Sequence, residues 1–76
     1  MSEQKEKTIG ERRVRSAFNP SANDTVSALK SRTAELINLV EGLKNTQDPE
    51  RSRCAALAQT AYEEAAMWAV KAATSP

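Results

Sequence analysis

The stretch from Arg53 to Ala73, RCAALAQTAYEEAAMWAVKAA, carries nine alanines and the chain's only tyrosine and tryptophan, with no glycine or proline to break it. Alanine is the least costly residue to place in a helix interior, so a run this long reads as one continuous helix. At about 100° per residue, Cys54, Leu57, Ala58, Ala61, Tyr62, Ala65, Trp68, Ala69, Ala72 and Ala73 cover half the cylinder. Ala56, Met67 and Val70 intrude on the other half. One narrow stripe stays polar: Arg53, Thr60, Glu64 and Lys71. A helix apolar over so wide an arc must bury more than one face, and its small side chains let neighbouring backbones come close. The expectation is a helix packed against its own chain and against other copies of it.

The length of 76 residues sharpens this expectation. A single domain so short buries only ~60% of its unfolded surface, and association is one of the few ways to add burial. One cysteine excludes an internal disulfide, and without histidine no zinc set is available. Cys54, among apolar neighbours, reads as a buried small hydrophobe in a reducing compartment. A net charge of +1 excludes a generally basic nucleic-acid coat, although residues 1–15 hold five positive and three negative side chains. No apolar run approaches the ~20 residues of a membrane span, and MSEQKEK offers no hydrophobic secretion signal. A soluble intracellular protein is expected, with no membrane partner.

Residues 1–9 are polar and charged and read as a flexible arm. The helical hairpin domain is expected over residues 10–76. GERRVRSA, Gly10 to Ala17, suits a short helix with Val14 turned inward. In the following FNPS segment, Pro20 biases Asn19 toward an extended corner. Phe18 either anchors the arm on the helices or offers a stacking face to a planar ligand. Cap residues between Ser21 and Asp24 start a helix over about 22–43. Its apolar stripe is Val26, Leu29, Leu36, Ile37, Val40 and Leu43, with Thr33 inside it. Leu39 and Ala28 lie beside the stripe and would be exposed in a monomer. KNTQDPE, residues 44–50, forms the turn, with Asp48 as cap and Pro49 opening a helix over about 49–73. Two long helices on so short a link lie antiparallel. The fold class is therefore all-α: a two-helix hairpin with a short N-terminal helix, assembled into an oligomer.

Catalysis is not expected, because the chain has no histidine, nucleophile motif, Gly-rich phosphate loop or metal-ligand cluster. Glu63 and Glu64 diverge by about 100° on a helix and cannot share a proton, so a solvated edge or a salt bridge is their simpler role. What remains is binding. Arg53 opens the second long helix, where unpaired N–H groups and a guanidinium suit phosphate. Equally, it can answer Asp48 or Glu50 at the surface. Thr60 adds a hydroxyl two turns further along the same face. Arg13, Arg15, Phe18 and Asn19 offer charge, a π-face and an amide beside a rigid corner, a set able to grip a base and its phosphate.

RVRSAFNPSANDTVSALK, followed by a helix ending YEEAAMWAVKAAT, resembles the hairpin-domain proteins of bacteriophages, the anti-CBASS and anti-Thoeris family of cyclic-nucleotide sponges. The likeness spans roughly residues 10–74, and the FNPS corner and AAMWAVKAAT end are its most specific parts. It implies a hexamer of antiparallel hairpins. Such hexamers sequester cyclic dinucleotides, cyclic trinucleotides or cyclised ADP-ribose signals between protomers, uncleaved, in the cytoplasm of the infected host. By position, Arg53 matches an arginine that faces a cyclic trinucleotide in relatives, with Asn19 near a small polar residue of that pocket. The arm here lacks the family's tyrosine, so Phe18 with Arg13 or Arg15 would serve the dinucleotide site. The resulting ligand-binding set is Arg13, Arg15, Phe18, Asn19, Pro20, Arg53, Thr60 and Lys71, with no cofactor and no metal. The longer N-terminal region of anti-Thoeris members is absent, which favours the anti-CBASS type over a sponge for cyclised ADP-ribose. The competing class is an oligomeric adaptor acting through protein contacts. A DNA-binding role would need a basic recognition helix, and neither long helix is one.

Overall fold

Thr8 starts the ordered architecture with a reciprocal cap. Its hydroxyl accepts from the Glu11 N–H while the Glu11 carboxylate accepts from the Thr8 N–H, at 3.1 and 2.9 Å. This capping box satisfies two of the donors that a helix start leaves unpaired. Helix α1 then runs Ile9–Val14 and stops where Arg15 adopts a left-handed conformation, φ 55°. The computed structural model describes residues 6–17, 19 and 23–76. Two corrections follow for the N-terminal part. The short helix ends at Val14 instead of continuing to Ala17, and the arm gives way to structure at Thr8, since Ile9 packs against the core. Phe18, Pro20, Ser21 and Ala22, and the expectations placed on them, lie outside the described residues.

Helix α2 spans Asp24–Glu41 behind an Asn23 cap, and a single 3₁₀ turn, Gly42–Lys44, closes it. Helix α3 spans Pro49–Thr74, capped by Asp48 with Pro49 in its first turn, as its residues imply. The Gln59 amide reaches back to the Ile37 carbonyl and the Glu41 carboxylate, at 3.0 and 2.8 Å, and Ser52 donates to the Lys44 carbonyl at 3.3 Å. These contacts pair the end of α2 with the start of α3 and fix the antiparallel hairpin. Among the described residues there is no strand, and no helix is long and apolar enough to cross a membrane.

The core is small: Val14, Ala34, Ile37 and Ala66, with Ile9 and Tyr62 packed against it. The inward row of α2 is Val26, Lys30, Ala34 and Ile37, so only Val26 and Ile37 of the expected stripe are fully buried. Leu29, Thr33 and Val40 are half-buried, while Leu36 and Leu43 are exposed. The cause is α1. It crosses α2 at Gly10, where an added Cβ would collide with the Ala34 carbonyl and lie 2.8 Å from its carbon. So close an approach turns Ala34 inward at the expense of larger neighbours.

On α3 the fully buried residues are Ala55, Gln59 and Ala66. Cys54 is exposed instead of buried, and its thiol points to the Glu50 carboxylate at 3.6 Å. Leu57, Ala61, Ala65, Trp68 and Ala72 of the expected apolar face are also exposed in the single chain. The Cα framework extends 45 × 40 × 12 Å along its principal axes. Its radius of gyration, 14.1 Å, exceeds the ~11 Å of a compact domain of this length. So extended a shape leaves Leu36, Leu39, Leu43, Leu57, Met67 and Trp68 exposed.

Candidate functional site

Helix α1 lies across the hairpin and walls off a groove of about 620 Å³. Its floor is apolar: Val14 from α1 and Ala66, Met67 and Val70 from α3. Its rim is charged, with Arg13, Arg15 and Lys30 opposing Glu63 and Glu64, and Thr60 between them. An apolar floor suits the face of a planar ring, and convergent cations suit phosphate.

Each cation is placed by a specific local cause. Arg13 sits in the last turn of α1 and reaches α3. Its Nη2 and Nε donate to Glu63 Oε1 at 2.7 and 3.1 Å, with longer bonds to Thr60 and Gln59. Arg15 follows the left-handed helix end. Lys30 is buried on α2 and donates through Nζ to the Arg15 carbonyl at 3.0 Å. It thus stabilises a carbonyl that the end of α1 leaves exposed. Burial, and then the nearby Arg15 charge, hold the Lys30 pKa below the ordinary lysine value.

The structure brings together Arg13, Arg15 and Thr60 from the expected set, and separates the rest. Arg53 lies at the start of α3, with Nε and Nη2 donating to the two Glu50 oxygens at 3.1 and 2.7 Å. This hydrogen bonding raises the Arg53 pKa and lowers that of Glu50. The surface pairing is thus the role this residue takes within the chain, and Thr60 turns to Arg13 instead of to Arg53. Asn19 is engaged at the corner before α2: it accepts from the Asn23 N–H and donates to the Asn23 carbonyl and the Ser27 hydroxyl. Lys71 stands over the Trp68 ring, 5.3 Å from its centroid, a cation–π contact.

Lys30, Glu63 and Gln59 went unread in the sequence as parts of this region. A faint signal existed for Lys30, which sits four residues from both Val26 and Ala34 on what is otherwise an apolar row. No comparable signal marks the Arg13–Glu63 pair, whose members are fifty positions apart in the chain. Among the described residues no group of carboxylates, thiols or imidazoles could hold a metal ion. A family model described as Acb2/Tad1, hairpin domain, matches residues 10–74. No curated protein and no solved structure matches the chain.

Proposed function

The chain belongs to the Acb2/Tad1 hairpin-domain family, and on that premise we propose that it is a phage anti-defence sponge. In this reading it works in the cytoplasm of the infected cell, binding cyclic dinucleotide and trinucleotide immune signals and holding them uncleaved. The observation that carries the reading is the groove: three cations, from α1, its left-handed end and α2, line it above an apolar floor, and one of them is a buried lysine. A base lies on Val14, Met67 and Val70, and Arg13, Arg15 and Lys30 meet the phosphates. Arg53 contributes to a second, inter-protomer site only where a phosphate replaces Glu50 on its guanidinium.

Cyclic di-AMP mixed with the protein, washed and recovered by heat denaturation should return intact. Linear product in proportion to protein would overturn the sponge reading and point to a phosphodiesterase. Lys30→Met keeps the aliphatic stem and removes the charge. It should weaken cyclic di-AMP binding by about tenfold or more, the loss of one charge-assisted contact, while circular dichroism shows the helices still folded.

The same proposal includes self-assembly, most simply as a homohexamer. It is supported by the extended shape of the chain and by exposed large apolar residues, among them Leu39 at 72% and Trp68 at 55%. Light scattering at micromolar concentration should give a mass several times that of one chain. Ala65 is exposed, so Ala65→Arg should leave the hairpin folded and break the assembly. A folded wild-type monomer would remove the assembly from the proposal.

A further inference from the structure

Arg13 bridges the groove, and its guanidinium is already engaged before any ligand arrives. Its Nη2 and Nε both converge on one oxygen of Glu63, at 2.7 and 3.1 Å. The contacts to Thr60 Oγ1 and Gln59 Oε1 are long, at 3.4 and 3.5 Å. A guanidinium presents two parallel N–H groups that fit two oxygens of one acceptor group. Two donors on a single oxygen leave that fork incompletely matched. The two side chains are 24% and 44% exposed, so solvent screens the pair and holds it weakly. Glu63 therefore occupies the phosphate-matching group of the groove without exploiting its geometry.

We propose that Glu63 is a displaceable counter-ion for the groove. An incoming phosphate takes the Arg13 fork with two oxygens, the Glu63 carboxylate moves to solvent, and uptake is an exchange of one anion for another. Until then the pair ties α1 to α3 and keeps the groove walls in place. This rests on the groove being the ligand site. It adds a specificity device: uncharged nucleosides cannot drive the exchange, and ligands with phosphates can. The neighbouring Glu64 lines the same rim, but the Arg13 guanidinium donates to Glu63, so the two carboxylates differ in contact but contribute similarly to the surrounding field.

The test compares wild type, Glu63→Gln and Glu64→Gln by calorimetry with pyrophosphate, cyclic di-AMP and adenosine. Glutamine at position 63 keeps the volume and an acceptor for Arg13, and removes the charge. Expected are a gain of about fivefold for both phosphate ligands in Glu63→Gln, the size of one partly exposed ion pair, and less than about twofold in Glu64→Gln, where only the screened field changes. Adenosine should show no gain. In nitrogen-resolved spectra of wild type, the Arg13 Nε–H signal should move on addition of pyrophosphate. Equal gains in both variants would reduce the effect to a general field. A loss in Glu63→Gln would make the residue structural, and no pyrophosphate binding in any variant would end the proposal. Pyrophosphate exchange without binding of cyclic di-AMP would instead overturn the sponge reading and leave the exchange standing.

Discussion

Gly10→Ala is expected to lower stability by about 2 kcal/mol and to release α1 from the hairpin. The balance has two parts of opposite sign. Alanine favours a helix interior over glycine by about 1 kcal/mol. Overpacking against an obstacle that cannot rotate away costs about 3 kcal/mol, the upper end of the usual range. The obstacle here is the Ala34 main-chain carbonyl, not a side-chain tip. Displacement also strains the bond from the Gly10 N–H to Asn38 Oδ1, 2.8 Å, and that from Asn38 Nδ2 to the Thr8 hydroxyl, 3.0 Å. At 0.05–0.15 kcal/mol per residue the whole chain holds roughly 4–11 kcal/mol, so the loss is a large share. A six-residue helix has no stability in isolation, so α1 should melt once it leaves. Urea midpoints with amide spectra would read both effects, and an unchanged or higher midpoint would refute the close crossing.

Gln59→Ala is the second substitution with a large expected effect, a loss of about 3 kcal/mol. The Gln59 side chain is fully buried, 0% exposed. It joins three elements: its amide N–H groups donate to Ile37 and Glu41, and its carbonyl accepts from Arg13. Two good hydrogen bonds contribute about 1 kcal/mol each, and the cavity left by the side chain adds a comparable amount. Gln59→Leu separates the two contributions, since leucine refills the volume without the bonds. It should cost at least about 1 kcal/mol less than alanine, because the freed Glu41 carboxylate can be hydrated. The Gln59 hydrogen bond, followed by that of Lys44, holds the Glu41 carboxyl below its ordinary pKa. In either variant that carboxyl should titrate closer to a free glutamate. Identical losses for alanine and leucine would place the whole effect in the hydrogen bonds.

The elements were legible because their signals are local. A run of alanines, a cap residue followed by proline, and a short polar link each act over a few positions, and α3 begins and ends within a residue of its expected bounds. The capping box at Thr8 was equally local, but it was overlooked beneath the polar composition of the arm. The inward faces were harder to read, since a helical wheel ranks side chains by hydropathy while burial follows the neighbour. Gly10 determines that Ala34 faces α1, and this draws Lys30 inward and leaves Leu36 outside. Cys54 was misplaced for the same reason, one position from the inward row that starts at Ala55. Of the site, Arg13 and Arg15 were readable from charge and position. Their meeting with Lys30 and Glu63 depends on the crossing of three helices, which no spacing in the chain encodes.

Val14 and Ala66 belong both to the core and to the groove floor. In a larger protein those duties fall to different layers, so a pocket can be reshaped while the interior stays fixed. In this small three-helix fold, a substitution that widens the floor also removes core packing from a chain with little stability in reserve. Drift toward new ligands is therefore directed to the polar rim, where charge and hydrogen bonding can change without removing apolar packing. Diversification within such a lineage should appear as exchanges of polar groups around an apolar floor that hardly varies.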